Sequence, residues 1–204
     1  MHYQFIEIGT SDFKTEIEFA TEKTRGVSIE PVRHYFDRLP DRKNVHRFNC
    51  AIGKDHCSVE MFHVNPKYID SKQVPNWLRG CSTVGNPHPT AKRWLKKSGL
   101  EAEDFFLVQP VCMLTLQTVI EACRVSSLSL LKIDTEGMDS KIILWSFDQI
   151  RNLMPEKIVF EINELNDEET TEEAIRKLTA LGYQEIHRGR DIVLRRSALC
   201  YHGK

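Results

Sequence analysis

LLKIDTEGMD (residues 130–139) is an apolar run that stops in three carboxylates, Asp134, Glu136 and Asp139, with Gly137 between the last two. A buried strand does not end this way without reason, because charge taken out of water is costly. Either the acids have partners or they have a task. SLSLLKI (127–133) reads as a strand and a helix is expected over 139–147, so the acids stand at a strand-to-helix turn.

The same alternation extends outward. Upstream, QFIEI (4–8) is a strand stopped by Gly9, Thr10, Ser11 and Asp12, and a helix over 13–23 would place Phe13, Ile17 and Ala20 on one face with Phe19 adjoining. GVSIE (26–30) follows, then a short helix opened by Pro31 and carrying Val32, Tyr35, Phe36 and Leu39. VHRFNCAI (45–52), CSVEMFHV (57–64) and FFLVQPVCML (105–114) are regular apolar stretches, the first two with strand alternation, and a helix is expected near 115–124. Downstream, KIVFEI (157–162) is a buried strand. Thr170 and Glu173 form a capping box for a helix with Ala174, Ile175, Leu178 and Leu181 on one face, closed by Gly182. YQEIH (183–187) and DIVLRR (191–196) flank Arg188-Gly189-Arg190 as a hairpin. Strands alternating with helices predict an α/β sandwich around a mainly parallel sheet whose last strand is antiparallel.

Residues 65–104 lose this rhythm. They carry Pro66, Pro75, Pro87, Pro89, Gly80, Gly85 and Gly99 with Trp77 and Trp94 among them. A loop of this length in a compact domain is functional or disordered, and two tryptophans argue against disorder. The expectation is a lid or acceptor segment, with both tryptophans either stacking on a ligand ring or anchoring the loop.

The chain of 204 residues has no Ser/Gly/Pro-rich linker, so one domain over 1–204 is expected. Lys and Arg total 28 against 29 Asp and Glu, which excludes a globally basic nucleic-acid-binding surface. The cysteines at 50, 57, 81, 112, 123 and 200 show no CxxC or zinc spacing, and this suits reduced thiols in the cytoplasm. No run reaches membrane-spanning length, and because MHYQFIEIG enters structure almost at once no signal peptide is expected; the same early start is compatible with one domain cut from a longer polypeptide. Oligomeric state is not legible.

Ligands of open α/β sheets bind beyond the carboxyl ends of the strands. Those ends hold Glu7 and Gly9, Glu30, Asp134 and Glu136, then Glu161 and Asn163. Glu30 falls 21 residues after Gly9, a separation suited to an acid that holds ribose hydroxyls. IEIGTSDF has a single glycine and so no GxGxxG cradle for a pyrophosphate. Carboxylates beside one glycine are instead compatible with the cationic sulfonium end of S-adenosylmethionine.

FIEIGTSDF (5–13), VSIEPVRHYFDRL (27–39), NCAIG (49–53), KIDTEG (132–137) and IVFEIN (158–163) together resemble the FkbM-type S-adenosylmethionine-dependent methyltransferases, in the family's order. The resemblance implies a Rossmann-like class I methyltransferase fold with a seven-stranded sheet, and methyl transfer to an oxygen acceptor, often a sugar or natural-product hydroxyl. It also implies that Glu7, Gly9 and Ser11 line the methionine part, Glu30 holds the ribose, Ala51 and Ile52 flank the adenine, and Asp134 stands beside the methyl. S-adenosylhomocysteine would be the product. The other function class in play is a non-catalytic binding domain of this fold in a larger glycan-modifying protein.

A sugar hydroxyl needs a base to become a nucleophile. Asp134 and Glu136 are the first candidates, Glu161 the next, with His88 and His63 behind them. One of Glu136 and Asp139 is expected to cap the following helix instead. Lys92, Arg93, Lys96 and Lys97 form a basic cluster that either meets a phosphate or is a solvated helix face. Asp134, Glu136 and Glu161 could bind a hard cation through oxygen, but acids two residues apart do not establish a site, and no metal ligand is assigned.

Overall fold

A computed structural model describes residues 1–11, 15–150 and 153–197. In chain order the first half contains β1 (His2–Ile8), α1 (Glu16–Phe19), β2 (Gly26–Ile29), α2 (Arg33–Phe36), β3 (Val45–Phe48), β4 (Ala51–Ile52), β5 (Cys57–Val64) and α3 (Pro66–Asp70). A 3-10 turn at Asn76–Gly80 leads to β6 (Thr83–Val84), α4 (Pro89–Ser98), β7 (Phe106–Leu114) and α5 (Leu116–Ala122). The chain continues through β8 (Ser127–Ile133), α6 (Asp139–Ser146), β9 (Lys157–Glu161), α7 (Glu168–Ala180), β10 (Tyr183–Arg188) and β11 (Asp191–Arg196).

The main sheet is mixed and seven-stranded, in the order β10-β11-β9-β8-β1-β2-β3. Strands β9, β8, β1, β2 and β3 are parallel, and β11 runs antiparallel to both its neighbours. All four residues of β2 are buried, as a parallel strand covered on both faces requires. Phe5 of β1 packs in one cluster with Ile17, Ala20 and Leu39. Its neighbours Ile6 and Ile8 join Val119, Ile142, Ile143, Ala174 and Leu178 in the larger core. Complete burial of side chains such as Ile6 or Phe160 contributes about 1.5–3 kcal/mol each. From β1 the chain first adds β2 and β3 on one side and later β8 and β9 on the other. The strand order therefore reverses between β1 and β8, and a crevice opens beyond their carboxyl ends.

The four-stranded sheet β4-β7-β5-β6 was not expected from the sequence. The stretch read as one strand over 45–52 breaks into β3 in the main sheet and β4 in the second. At the break, the Asn49 side chain donates to the carbonyls of Glu30 and Pro31 and turns the chain away. β5 and β7 pair antiparallel along their length, from Cys57↔Met113 to Val64↔Phe106. Hydrophobic alternation marks a strand but does not say which sheet receives it.

Three further expectations are corrected. The helix expected over 13–23 is one turn, Glu16–Phe19, after which Ala20 is extended; Phe19 is exposed, and Asp12 and Phe13 lie outside the described residues. The helix assigned a Thr170 cap begins at Glu168, and the Asp167 side chain accepts the Thr170 N–H. Residues 65–104 contain two helices and a strand, because Pro66 and Pro89 open helices rather than break them. Each stands where its missing N–H costs nothing, and Asn65 and His88 cap the turns. Among the described residues no helix is long and apolar enough to cross a membrane, and Cys50, Cys57, Cys81, Cys112 and Cys123 form no disulfide; Cys200 lies outside them.

Candidate functional site

At the carboxyl end of β1, Gly9 takes φ +82°, a conformation that L side chains rarely adopt. Its N–H donates to the Ile29 carbonyl at 2.9 Å, while the Asp134 N–H donates to the Ile8 carbonyl at 2.9 Å. Strand pairing thus carries the first turn and the first acid to the same place. Ser11 also has positive φ, and its N–H donates to Glu30 Oε2 at 2.6 Å. The Val32 N–H donates to the other oxygen of Glu30 at 2.7 Å, so this buried carboxylate is locked in place.

A cavity of about 490 Å³ occupies the crevice, within the range of small-molecule sites. Of the seven residues expected to bind a cofactor, Gly9, Ser11, Glu30, Ala51, Ile52 and Asp134 line it. Glu7 does not. Its side chain is fully buried, accepting from Lys132 Nζ at 2.7 Å and from the Glu16 N–H at 2.8 Å. Glu7 and Lys132 are register partners on adjacent strands, which places them side by side. Burial pulls the Lys132 ammonium down, but the Glu7 carboxylate more than offsets this and its pKa ends raised.

Asp134 lines the cavity with its pKa pushed up to about 7, first by burial and then by the charges of Glu161, Asp139 and Glu136; Lys132 opposes the rise. Asp139 is buried and accepts from the Thr135 N–H, the Thr135 hydroxyl and the Gly137 N–H. It therefore holds the loop, and Glu136 is left to face the cavity. Glu136 itself has φ +51°, a strained conformation for a side-chain-bearing residue.

Glu161 and His88 stand behind that wall. His88 caps α4 with Nδ1, accepting the Thr90 N–H at 3.1 Å, so Nε2 carries the hydrogen and donates to Glu136 Oε2 at 3.2 Å. The Asn163 amide donates to Glu136 at 2.9 Å and to Glu161 at 2.8 Å. Arg190 Nε donates to the remaining oxygen of Glu161, and Arg190 also lines the cavity. One oxygen each from Asp134, Glu136 and Glu161 lies within 4.8 Å of the others, close enough to share a cation. Asn163 and Arg190 already meet part of that charge.

The expanded loop splits its two tryptophans. Trp94 stacks on Phe105 at 6.0 Å between ring centroids and anchors the segment. Trp77 remains 48 % exposed and forms part of the cavity wall. His63 is buried against the Val64 carbonyl and takes no part. In the basic cluster Arg93 pairs with Glu164, while Lys96 and Lys97 sit in the last turn of α4, where cations suit the helix dipole.

Sequence reasoning missed Arg190 and assigned no role to Asn163, Thr10 or Ser82. The side-chain oxygens of Thr10, Ser11 and Ser82 are buried on the cavity wall with no hydrogen-bond partner among the described residues. Buried hydroxyls are normally paired, so three orphans lining one cavity fit a polar ligand. Glu30, Asp134 and Glu136 line the cavity together with Arg79, Lys132 and Arg190, and charges of both signs fit a ligand that carries a cationic centre and an anionic group. Residues 7–185 match the model of a protein family described as the methyltransferase FkbM domain. No curated protein matches the chain.

Proposed function

The chain belongs to the FkbM methyltransferase family, and from that premise we propose that it is an S-adenosylmethionine-dependent O-methyltransferase acting on a sugar or glycan hydroxyl. In this reading residues 1–204 form one Rossmann-like class I methyltransferase domain, with the segment around 65–104 covering the cofactor edge. The observation that carries the reading is the three orphaned hydroxyls and the acids gathered at the strand-order reversal.

Gly9 and Ser11 would hold the methionine part, Glu30 the ribose, and Ala51 and Ile52 the adenine. Glu7 supports from behind, pairing with Lys132 on the cavity wall. The cofactor would supply a methyl group on a sulfonium. The protein's share is to align the acceptor oxygen in line with it and to exclude water. Asp134, with a pKa near 7, is matched to taking the hydroxyl proton at neutral pH, and Glu136 to orienting the hydroxyl. Calorimetric titration with S-adenosylmethionine tests the reading: folded protein that binds none at millimolar ligand defeats it.

A further inference from the structure

A second cavity of about 390 Å³ adjoins the first and shares Val84, Glu136 and Met138 with it. An in-line displacement requires the acceptor oxygen to arrive on the side of the methyl opposite the sulfur, so the acceptor needs a compartment contiguous with the cofactor's but distinct from it. The second cavity has this relation to the first. Among the described residues, Glu136 is the one acid that lines both cavities, held at the junction by buried His88 and by Asn163 despite its strained backbone.

The walls restrict what fits. Pro87, Pro89 and Leu165 supply apolar faces, and Asn86 a hydrogen-bonding rim. Among the described residues, Lys92 is the one cation lining the cavity and has no ion-pair partner, whereas Arg93 beside it pairs with Glu164. A ligand filling the cavity thus meets a carboxylate at the junction and an uncompensated ammonium elsewhere on its wall.

We propose that this second cavity seats the methyl acceptor, and that the acceptor is a hydroxyl compound bearing an anionic group, carboxylate or phosphate, with its hydroxyl at Glu136 and its anion at Lys92. The proposal rests on the reading of the first cavity as the cofactor site. On transfer the acceptor oxygen forms its bond to the methyl carbon as the carbon–sulfur bond breaks, and that electron pair stays on sulfur. The hydroxyl proton passes to Asp134, one oxygen of which lies within 4.8 Å of Glu136.

Saturation-transfer NMR on the full chain, with and without S-adenosylhomocysteine, tests the site with glucuronate, glucose 6-phosphate and glucose. At least one anionic probe is expected to bind at least tenfold more tightly than glucose, and whichever does so identifies carboxylate or phosphate. Lys92→Ala should bring it to the level of glucose. Asn86→Trp, at an exposed position outside the first cavity, should abolish probe binding and leave the S-adenosylmethionine titration unchanged. Glucose binding as tightly as both anions, binding that survives Asn86→Trp, or no probe binding to protein that takes up S-adenosylmethionine overturns the proposal alone. Wild-type protein that takes up no S-adenosylmethionine defeats the cofactor reading instead.

Discussion

A Cβ on Gly9 would stand 1.8 Å from the carbonyl oxygen of Asp134, so the turn after β1 and the first acid after β8 are packed backbone to backbone. Gly9→Ala must move one of them, and it also places a side chain at φ +82°. The expected loss is about 2–4 kcal/mol, with about 1 kcal/mol or more from the backbone conformation and the rest from the displaced strand ends. Urea denaturation and a cofactor titration check it together. A variant with an unchanged midpoint and full ligand affinity would contradict the packing.

Asp134, pushed up to about 7, makes a prediction about pH. As the base it must be ionised, so kcat/KM should rise with pH through an apparent pKa near 7 that belongs to the acid cluster as a whole. Asp134→Asn should abolish that limb and lower turnover about 10²–10⁴-fold while the cofactor still binds. Stability runs the other way. The folded pKa lies above the unfolded value of 3.8, so the folded chain holds more protons between them. This contribution is fully present below the unfolded pKa and is lost as pH rises through about 7. Denaturation of Asp134→Asn and wild type at pH 5 and pH 8 should show the variant relatively more stable at pH 8.

The Glu7–Lys132 pair joins a lysine on the cavity wall to a fully buried acid behind it. Lys132→Met leaves that carboxylate without its cation and should cost about 3–5 kcal/mol, towards the low end because the lysine is partly exposed. Glu7→Gln combined with Lys132→Met should recover much of the loss. A double-mutant cycle measures the difference, and simple additivity of the two single losses would show that the pair is not coupled.

Trp77 and Trp94 should behave as opposites. Trp77→Ala removes a half-exposed wall of the cavity and should weaken cofactor binding with less than about 1 kcal/mol lost from stability. Trp94→Ala removes the ring stacked on Phe105 and should cost about 2–4 kcal/mol. Denaturation midpoints and calorimetric affinities for both variants check this, and equal stability losses would refute the division.

Much of the fold was legible because its signals are local. β8 occupies the expected 127–133 and β5 the expected 57–64, since hydrophobic alternation is a property of neighbouring residues. The prolines of 65–104 misled for a related reason: Pro66 and Pro89 break a helix interior but open a helix at its first turn, and only the caps Asn65 and His88 distinguish the two. Splitting 45–52 between two sheets depended on Asn49 reaching the carbonyls of Glu30 and Pro31, which no local pattern contains.

The sequence by itself determined the strand ends that carry Gly9, Glu30 and Asp134, because periodicity, glycine turns and acids after apolar runs are written in consecutive residues. It left open which acid supports the loop and which faces the ligand. Tertiary structure alone decided that Asp139 ties the loop while Glu136 meets His88 and Asn163, and Glu161 meets Arg190. Those last three contacts join residues 48, 27 and 29 positions apart. Compensation of buried charge is a matter of distance in space, and that distance exists only once the sheet order and the terminal hairpin are in place.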